Sequence, residues 1–390
     1  MHQDLAELDP PDQDALRLPG LGGVRDRIGV WRALLDRPLT SYYLLLGITV
    51  LLLGLGLVMV QSTASVADLA AGLSPYSDFK KQLLGAAVGL PLMWAAARSS
   101  PRLFRAFTYP LLAVSVVGLS LTLIHGVGVT QNGASRWIEL GGQQIQPSEI
   151  AKLALAVWGA DLLARKEKLG QLADWRHMLV PLMPGTGVLF LMALAMILMI
   201  VSAKYRFERL TGYLQQQGSA TGANMQSIQG KYAIGSGGWF GVGLGASGGK
   251  WGWVPESTTD FIFAIIGEEL GLVGTLCVTV LYGGLAFAGL RIARRVPDLF
   301  CRLGATAITA WIVVQAAINI GAVVGVLPIT GVPLPLVSAG LSSLLVTLIG
   351  LGMLMSFARM EPGVREALAA RGPGWPLRVL SWLGLSKRRK

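Results

Sequence analysis

The sequence predicts an all-α polytopic membrane protein, a helical bundle of about eight spans with one large extracellular loop. Three observations carry that expectation. Of 390 residues, 53% are hydrophobic and only 14% charged, where soluble domains have about a quarter charged. The mean hydropathy is +0.56, and the apolar residues are gathered into runs of roughly 17–25, the length that crosses a bilayer as a helix. The basic residues, which give a net charge of +11, fall in every second connection between those runs. That placement explains the charge as membrane topology and argues against nucleic-acid binding. Cys277 and Cys301 lie far apart in or near apolar segments, which suits neither a disulfide framework nor a metal site.

The first 40 residues place acidic residues and prolines where a signal peptide has a basic start and an apolar core. They read as a cytoplasmic tail, and "GVWRALLDRP" suits a short amphipathic interfacial helix. Spans follow near 42–60, 82–98, 107–125, 148–164, 178–202, 261–289, 305–327 and 337–357. Four basic groups separate them in alternation: Arg25, Arg27, Arg32 and Arg37; Arg98, Arg102 and Arg105; Arg165, Lys166, Lys168 and Arg176; Arg291, Arg294, Arg295 and Arg302. These connections, the terminal "KRRK" and both termini are expected in the cytoplasm. The chain then divides into a tail at 1–40, a membrane domain at 41–360 and a basic cytoplasmic tail at 361–390. Outside lie 61–81, 126–147, 203–260 and 328–336. The stretch 203–260 is by far the longest connection and contains "GSGGWFGVGLGASGGKWGW". Its tryptophans favour the membrane interface, and its glycines permit tight turns and close backbone approach.

Four stretches bring chemistry into apolar surroundings. Asp260 sits where the long loop enters the sixth span. It suits a helix start, capped by Ser257, Thr258 or Thr259 with the aspartate in the first turn; it equally suits a general base at the membrane surface. Glu268 and Glu269 lie about two turns deeper, where a carboxylate is costly unless paired, protonated or facing a polar cavity. Being adjacent, they point about 100° apart, so at most one faces a given cavity. "GASRWIEL" and "GGQQI" read as a short extracellular hairpin, after which "QPSEIAKL" starts the fourth span with Pro147 at its first position. Glu149 and Lys152 share a helix face there, either as a plain ion pair or with Lys152 binding an anionic head group. Last, the three prolines of "GVLPITGVPLPLVSAGLSS" interrupt an apolar stretch, as an outer turn or as a re-entrant, cavity-lining segment.

Together, "NGASRWIEL", "QPSEIAKL", "GWFGVGLG", "KWGWVPESTTDFIFAIIGEELGLVG" and "LPITGVPLPLVSAGLSS" resemble, in order, the motifs of the SEDS family (shape, elongation, division and sporulation), whose members include FtsW and RodA. The threonine of "LPITG" is closer to the FtsW branch. The resemblance implies a SEDS-type bundle and a peptidoglycan glycosyltransferase of cell division that polymerises lipid II, a disaccharide-pentapeptide on undecaprenyl diphosphate, at the outer face of the bacterial cytoplasmic membrane. It makes Asp260 the catalytic residue. It places Arg136, Trp137, Glu149, Lys152, Pro333, Pro335 and Ser338 in the family's motifs, with Lys250 and Glu268 as further substrate-binding candidates. It implies a class B penicillin-binding protein transpeptidase as partner, alongside other division proteins and membrane lipids. A divalent cation could assist at the diphosphate, although no ligand cluster requires one. A lipid II flippase and a catalytically weak division protein that holds a transpeptidase are the alternatives.

The sequence departs from the family twice. The family has about ten spans and a "QPDxGT" motif, whereas "PLMPGTGVLFLMALAMILMIVSAKYRFERL" runs from the apparent fifth span into the apparent end of the seventh, as though two spans were absent. Loss of an even number of spans leaves Asp260 on the same side. Leu341 stands where the family often has a second glycine.

Overall fold

The computed structural model describes residues 38–122, 124, 128–131, 134–140, 143–170, 225–364 and 366–367. The fifth span near 178–202, most of the N-terminal tail, the first part of the long loop (203–224) and the basic C-terminal tail lie outside the described residues. Within them the chain is helical, with one small sheet. The helices are α1 (Thr40–Ala70), α2 (Ser77–Arg98), α3 (Pro101–Leu121), α4 (Pro147–Lys168), α5 (Met225–Ser236), α6 (Ile262–Arg295), α7 (Leu299–Val324) and α8 (Leu341–Ala358). Five of them, α1, α3, α6, α7 and α8, are long and apolar enough to cross a membrane. The chain is a multi-pass membrane protein. At 22 residues each, α2 and α4 also have spanning length. They are less apolar, and α4 carries Glu149, Lys152 and Asp161 before its basic last turn.

Helix α8 is buried almost throughout and packs against α2, with α1, α4, α6 and α7 around it. Its Gly352 lies against the backbone of Met93, which brings the two helix axes close. The opposite case is α3, in which only Thr108 and Ser115 are buried. Val114 and Val117, at 60% and 58% exposure, belong to the surface it turns to lipid.

The basic connections meet at one end of the bundle. Arg105, near the start of α3, reaches Asp161 of α4 (3.7 Å) and Asp298 before α7 (3.4 Å), and Arg165 pairs with Asp161 at 2.7 Å. At the same end, Arg359 donates to Ala97 O (3.0 Å) and Ser356 to Ser99 O (2.7 Å), tying the end of α8 to the α2–α3 turn. The alternation read from the sequence therefore has a structural counterpart: α2–α3, the end of α4, α6–α7 and the end of α8 share one end.

The other end holds the sheet, the turn around Asp260 and the proline-rich segment. Strands β1 (Gly128–Gln131), β2 (Ala134–Leu140) and β3 (Gln143–Ile145) form an antiparallel meander in the order β1-β2-β3. The expected hairpin is present, with Ile138 opposite Ile145 and Leu140 opposite Gln143; β1 is an additional strand, pairing Trp137 with Val129.

Helix α6 is 34 residues long, about 50 Å at the helical rise and more than a bilayer needs. It is broken at Gly271, which has φ 67° and ψ −162°, a conformation open to glycine. The stretch 237–245 fills the break. Val242 N and Gly243 N donate to Glu268 O and Glu269 O (2.9 and 3.1 Å), and Leu272 N and Val273 N donate to Gly238 O and Trp239 O (2.9 and 3.2 Å). This is the close approach expected of the glycine-rich loop. A side chain at Gly241 would strike the Glu269 backbone. Trp239, Phe240, Trp251 and Trp253 are all exposed.

Candidate active site

Asp260 does not stand in a helix. The cap of α6 is Phe261, no side chain caps it, and its first turn holds no acid. The helix-start reading is therefore corrected. Glu256, at φ 56°, closes a tight turn in which its carbonyl accepts from Thr259 N and Phe261 N, each at 3.1 Å. Three tertiary bonds then take the carbonyls that would have begun a helix. Ala339 N binds Thr258 O (3.0 Å), Ser338 Oγ binds Thr259 O (2.6 Å), and Asn319 Nδ2 binds Asp260 O (2.8 Å). Asp260 is half-buried at the foot of this turn.

The proline-rich segment between α7 and α8 is covered by protein, with Leu334, Leu336 and Val337 buried. Non-helical backbone at membrane depth must find its hydrogen bonds from protein, and here side chains provide them. Asn319 donates to Val332 O (2.7 Å), Gln315 to Pro333 O (3.0 Å), Tyr282 to Pro335 O, and Gln82 to Ser338 O (3.2 Å). Ser338 Oγ accepts from Leu334 N at 2.8 Å while donating to Thr259 O. One hydroxyl thus fixes the curl of its own segment and joins it to the Asp260 turn. Pro333 and Ser338 act through this framework: the carbonyl of one and the hydroxyl of the other are both engaged inside the protein.

Lys152 and Glu149 form the expected pair on α4, at 2.8 Å. Glu149 is buried and its Oε2 has no partner among the described residues. Lys152 is part-exposed (32% for the side chain); it also donates to Gln315 Oε1 at 2.7 Å and lies 5.9 Å from the Trp311 ring. Trp311 Nε1 donates to the same Gln315 oxygen at 3.0 Å. Gln315 and Asn319, one turn apart on α7, therefore connect Lys152, the proline-rich segment and Asp260. The motif reading missed both. The signal was available: two carboxamides at i, i+4 on an otherwise apolar helix share one face and are costly there without partners. Trp137 is part-exposed on β2, whereas the side chain of Arg136, on the same strand, lies outside the described residues.

Lys250 and Glu268 are drawn into a second network. Lys250 sits in a wide turn at Gly249–Trp253 with its side chain 5% exposed. Its ammonium donates to Gly245 O (2.5 Å), Ser62 Oγ (3.3 Å) and Glu269 Oε1 (3.4 Å), which occupies all three of its donors. Ser62, on α1, also donates to Glu269 Oε1 at 2.6 Å. Glu268 accepts from Ser247 Oγ (2.5 Å), Gly248 N (2.9 Å) and Gly249 N (3.2 Å to Oε2). Glu268 holds the loop, and Glu269 holds Lys250 through Oε1. Among the described residues no three His, Cys, Asp or Glu side chains come together as a metal site.

Comparisons with known proteins identify the family. A family model described as cell cycle protein (FtsW, RodA, SpoVE) matches residues 43–194 and 180–362. Its two stretches meet in the region where the sequence departs from the expected span pattern. The chain is 38% identical to the probable peptidoglycan glycosyltransferase FtsW of Mycobacterium tuberculosis, covering 90% of this chain and 74% of that protein. It is 37% identical to stage V sporulation protein E of Bacillus subtilis, over 81% of this chain and 96% of that one. Among solved structures it resembles a chain from a peptidoglycan synthase complex, described as coordinating polymerization and crosslinking (TM-score 0.60, 28% identity, 82% of this chain and 98% of that chain). It also resembles the rod shape determining protein RodA of Thermus thermophilus (TM-score 0.56, 27% identity, 81% and 96%).

Proposed function

The chain belongs to the FtsW, RodA and SpoVE family of cell cycle proteins and is a peptidoglycan glycosyltransferase, and from that premise we propose how its residues divide the work of polymerising lipid II. Asp260 is the general base. It takes the proton of the acceptor sugar's 4-hydroxyl as that oxygen attacks the donor's anomeric carbon. The bond from that carbon to the diphosphate breaks, and undecaprenyl diphosphate leaves with the electron pair. The observation that carries this reading is the turn itself. Asp260 is lifted out of helix α6, and its main chain is gripped by Asn319, which holds the base in one place.

Lys152 supports the departing diphosphate. Glu149 and Gln315 take two of its three donors, which leaves one for a phosphoryl oxygen. Arg136, on β2, is the second basic candidate, and Trp137 offers a stacking surface to a sugar. The site faces the exterior of the cytoplasmic membrane, with both termini inside and residues 41–360 forming the membrane domain. The partner is a class B penicillin-binding protein that crosslinks the nascent glycan; the likeness to a chain from a polymerization and crosslinking complex supports this.

The test is Asp260→Asn. Asn keeps the backbone carbonyl that Asn319 holds, so folding is expected to be unchanged. Glycan synthesis from labelled lipid II is expected to fall about 10²–10⁴-fold, the usual loss for a general base. Near-wild-type polymerisation by the variant would reject Asp260 as the base.

A further inference from the structure

We propose that Lys231, on α5, is a further substrate-binding residue, whose ammonium takes the phosphoryl oxygens of the lipid-linked diphosphate. The inference rests on the reading of Asp260 above and begins from a shortage. Diphosphate departure needs cations, yet Lys250 is buried and fully engaged inside the protein and Lys152 has two of its three donors occupied.

Lys231 differs from both. It is exposed and makes no hydrogen bond or ion pair among the described residues. Two contacts seat it at the Asp260 end of the bundle. The preceding residue, Gly230, is packed so closely on Phe261, the neighbour of Asp260, that a Cβ there would come within 2.9 Å of the ring. The Lys231 side chain itself crosses Gly325, the left-handed residue (φ 87°) that ends α7; a Cβ at that position would collide with Lys231 Cε and Nζ. Gly325 lies six residues beyond Asn319, about 9 Å along the helix, and Asn319 holds the Asp260 carbonyl. The stem is therefore seated, and the charge stands at the same end of the bundle as the Asp260 turn. Lys80, also exposed at this end, is two residues from Gln82 and so points about 200° away around α2 from the side chain that grips the proline-rich segment.

Two other roles predict different behaviour. A lysine at a helix C-terminus can simply neutralise the last carbonyls of α7, and an exposed lysine at this depth can bind bilayer phospholipid. The experiment uses the full chain in nanodiscs of zwitterionic lipid, with undecaprenyl diphosphate as the probe. Lys231→Met is expected to weaken its binding about 10-fold or more, the scale of one hydrogen bond to a charged group. Lys231→Arg should stay within a few-fold of wild type, with thermal stability preserved in both. The KM for lipid II should rise in Lys231→Met by more than kcat falls. Unchanged binding in Lys231→Met, or no binding by wild type, overturns the proposal. So does equal weakening in Lys231→Arg with lost stability, which is the helix-end role, or equal competition by phosphatidylglycerol, which is a headgroup site. Asp260→Asn runs in parallel. It should bind the probe normally, so its polymerisation result judges the base separately from the cation.

Discussion

Replacing Lys250 with methionine separates the two networks. In the structure Glu269 is fully buried and Lys250 is 5% exposed. Removing the ammonium strands a carboxylate whose Oε1 keeps only the Ser62 hydroxyl and whose Oε2 has no partner among the described residues. Breaking a buried pair from one side costs about 3–5 kcal/mol, most of it the uncompensated charge. Glu269→Gln is milder, because the ammonium retains Gly245 O and Ser62 Oγ, and should cost about 1–3 kcal/mol. With both changes no charge is stranded, so the double variant should recover about 1–3 kcal/mol of the summed loss. The measurement is a denaturing-detergent titration of the purified chain, followed by tryptophan fluorescence, on all four proteins. The reasoning fails if Lys250→Met is as stable as wild type while polymerisation collapses. That result would make Lys250 a substrate ligand that the resting structure holds in reserve.

Glu268→Gln can keep its oxygen for Gly248 N but puts its NH₂ where Oε2 accepts from Gly249 N and Ser247 Oγ; hydrogen exchange at the Gly249 amide should accelerate by an amount equivalent to about 1–3 kcal/mol. Gly271→Ala meets both a positive φ and the Trp239 and Gly241 backbone, and should lower stability by more than about 1 kcal/mol in the same titration. Asn319→Ala frees the Asp260 and Val332 carbonyls together; kcat on lipid II should fall at least about tenfold, because a small misplacement of a reacting group is costly. Cysteines at Ser219 and Ser386 should be labelled from opposite sides, Ser219 from outside; labelling of Ser219 from the cytoplasmic side alone would displace the site.

The sequence was most legible where local chemistry decides the outcome. The apolar runs became α1, α3, α6, α7 and α8, and Glu149 met Lys152 because three residues along a helix always face the same way. The turn at Asp260 was misjudged because hydroxyl and carboxyl residues before an apolar run normally mark a cap. Here Ser338, Ala339 and Asn319, all at least 59 residues away in sequence, took the carbonyls first. Lys250 and Glu268 are substrate-binding candidates on sequence because a charge in an apolar setting advertises function. The partners inside the protein, Ser62 on α1 and the amides of Gly248 and Gly249, become visible only once the loop is folded onto the broken helix.

That broken helix also orders the protein's assembly. The part of α6 after Gly271, Leu272–Arg295, is about 36 Å long, enough to insert into a bilayer by itself. The part before it, residues 262–269, is enclosed by protein and shares its carbonyls with 237–245, which leaves the ribosome earlier and has no partner until the span arrives. Docking of the loop therefore requires both 237–245 and the span it packs on. The groups that hold the Asp260 turn, Asn319 and Ser338, come later still in the chain, so the turn has no anchor until α7 and the proline-rich segment are made.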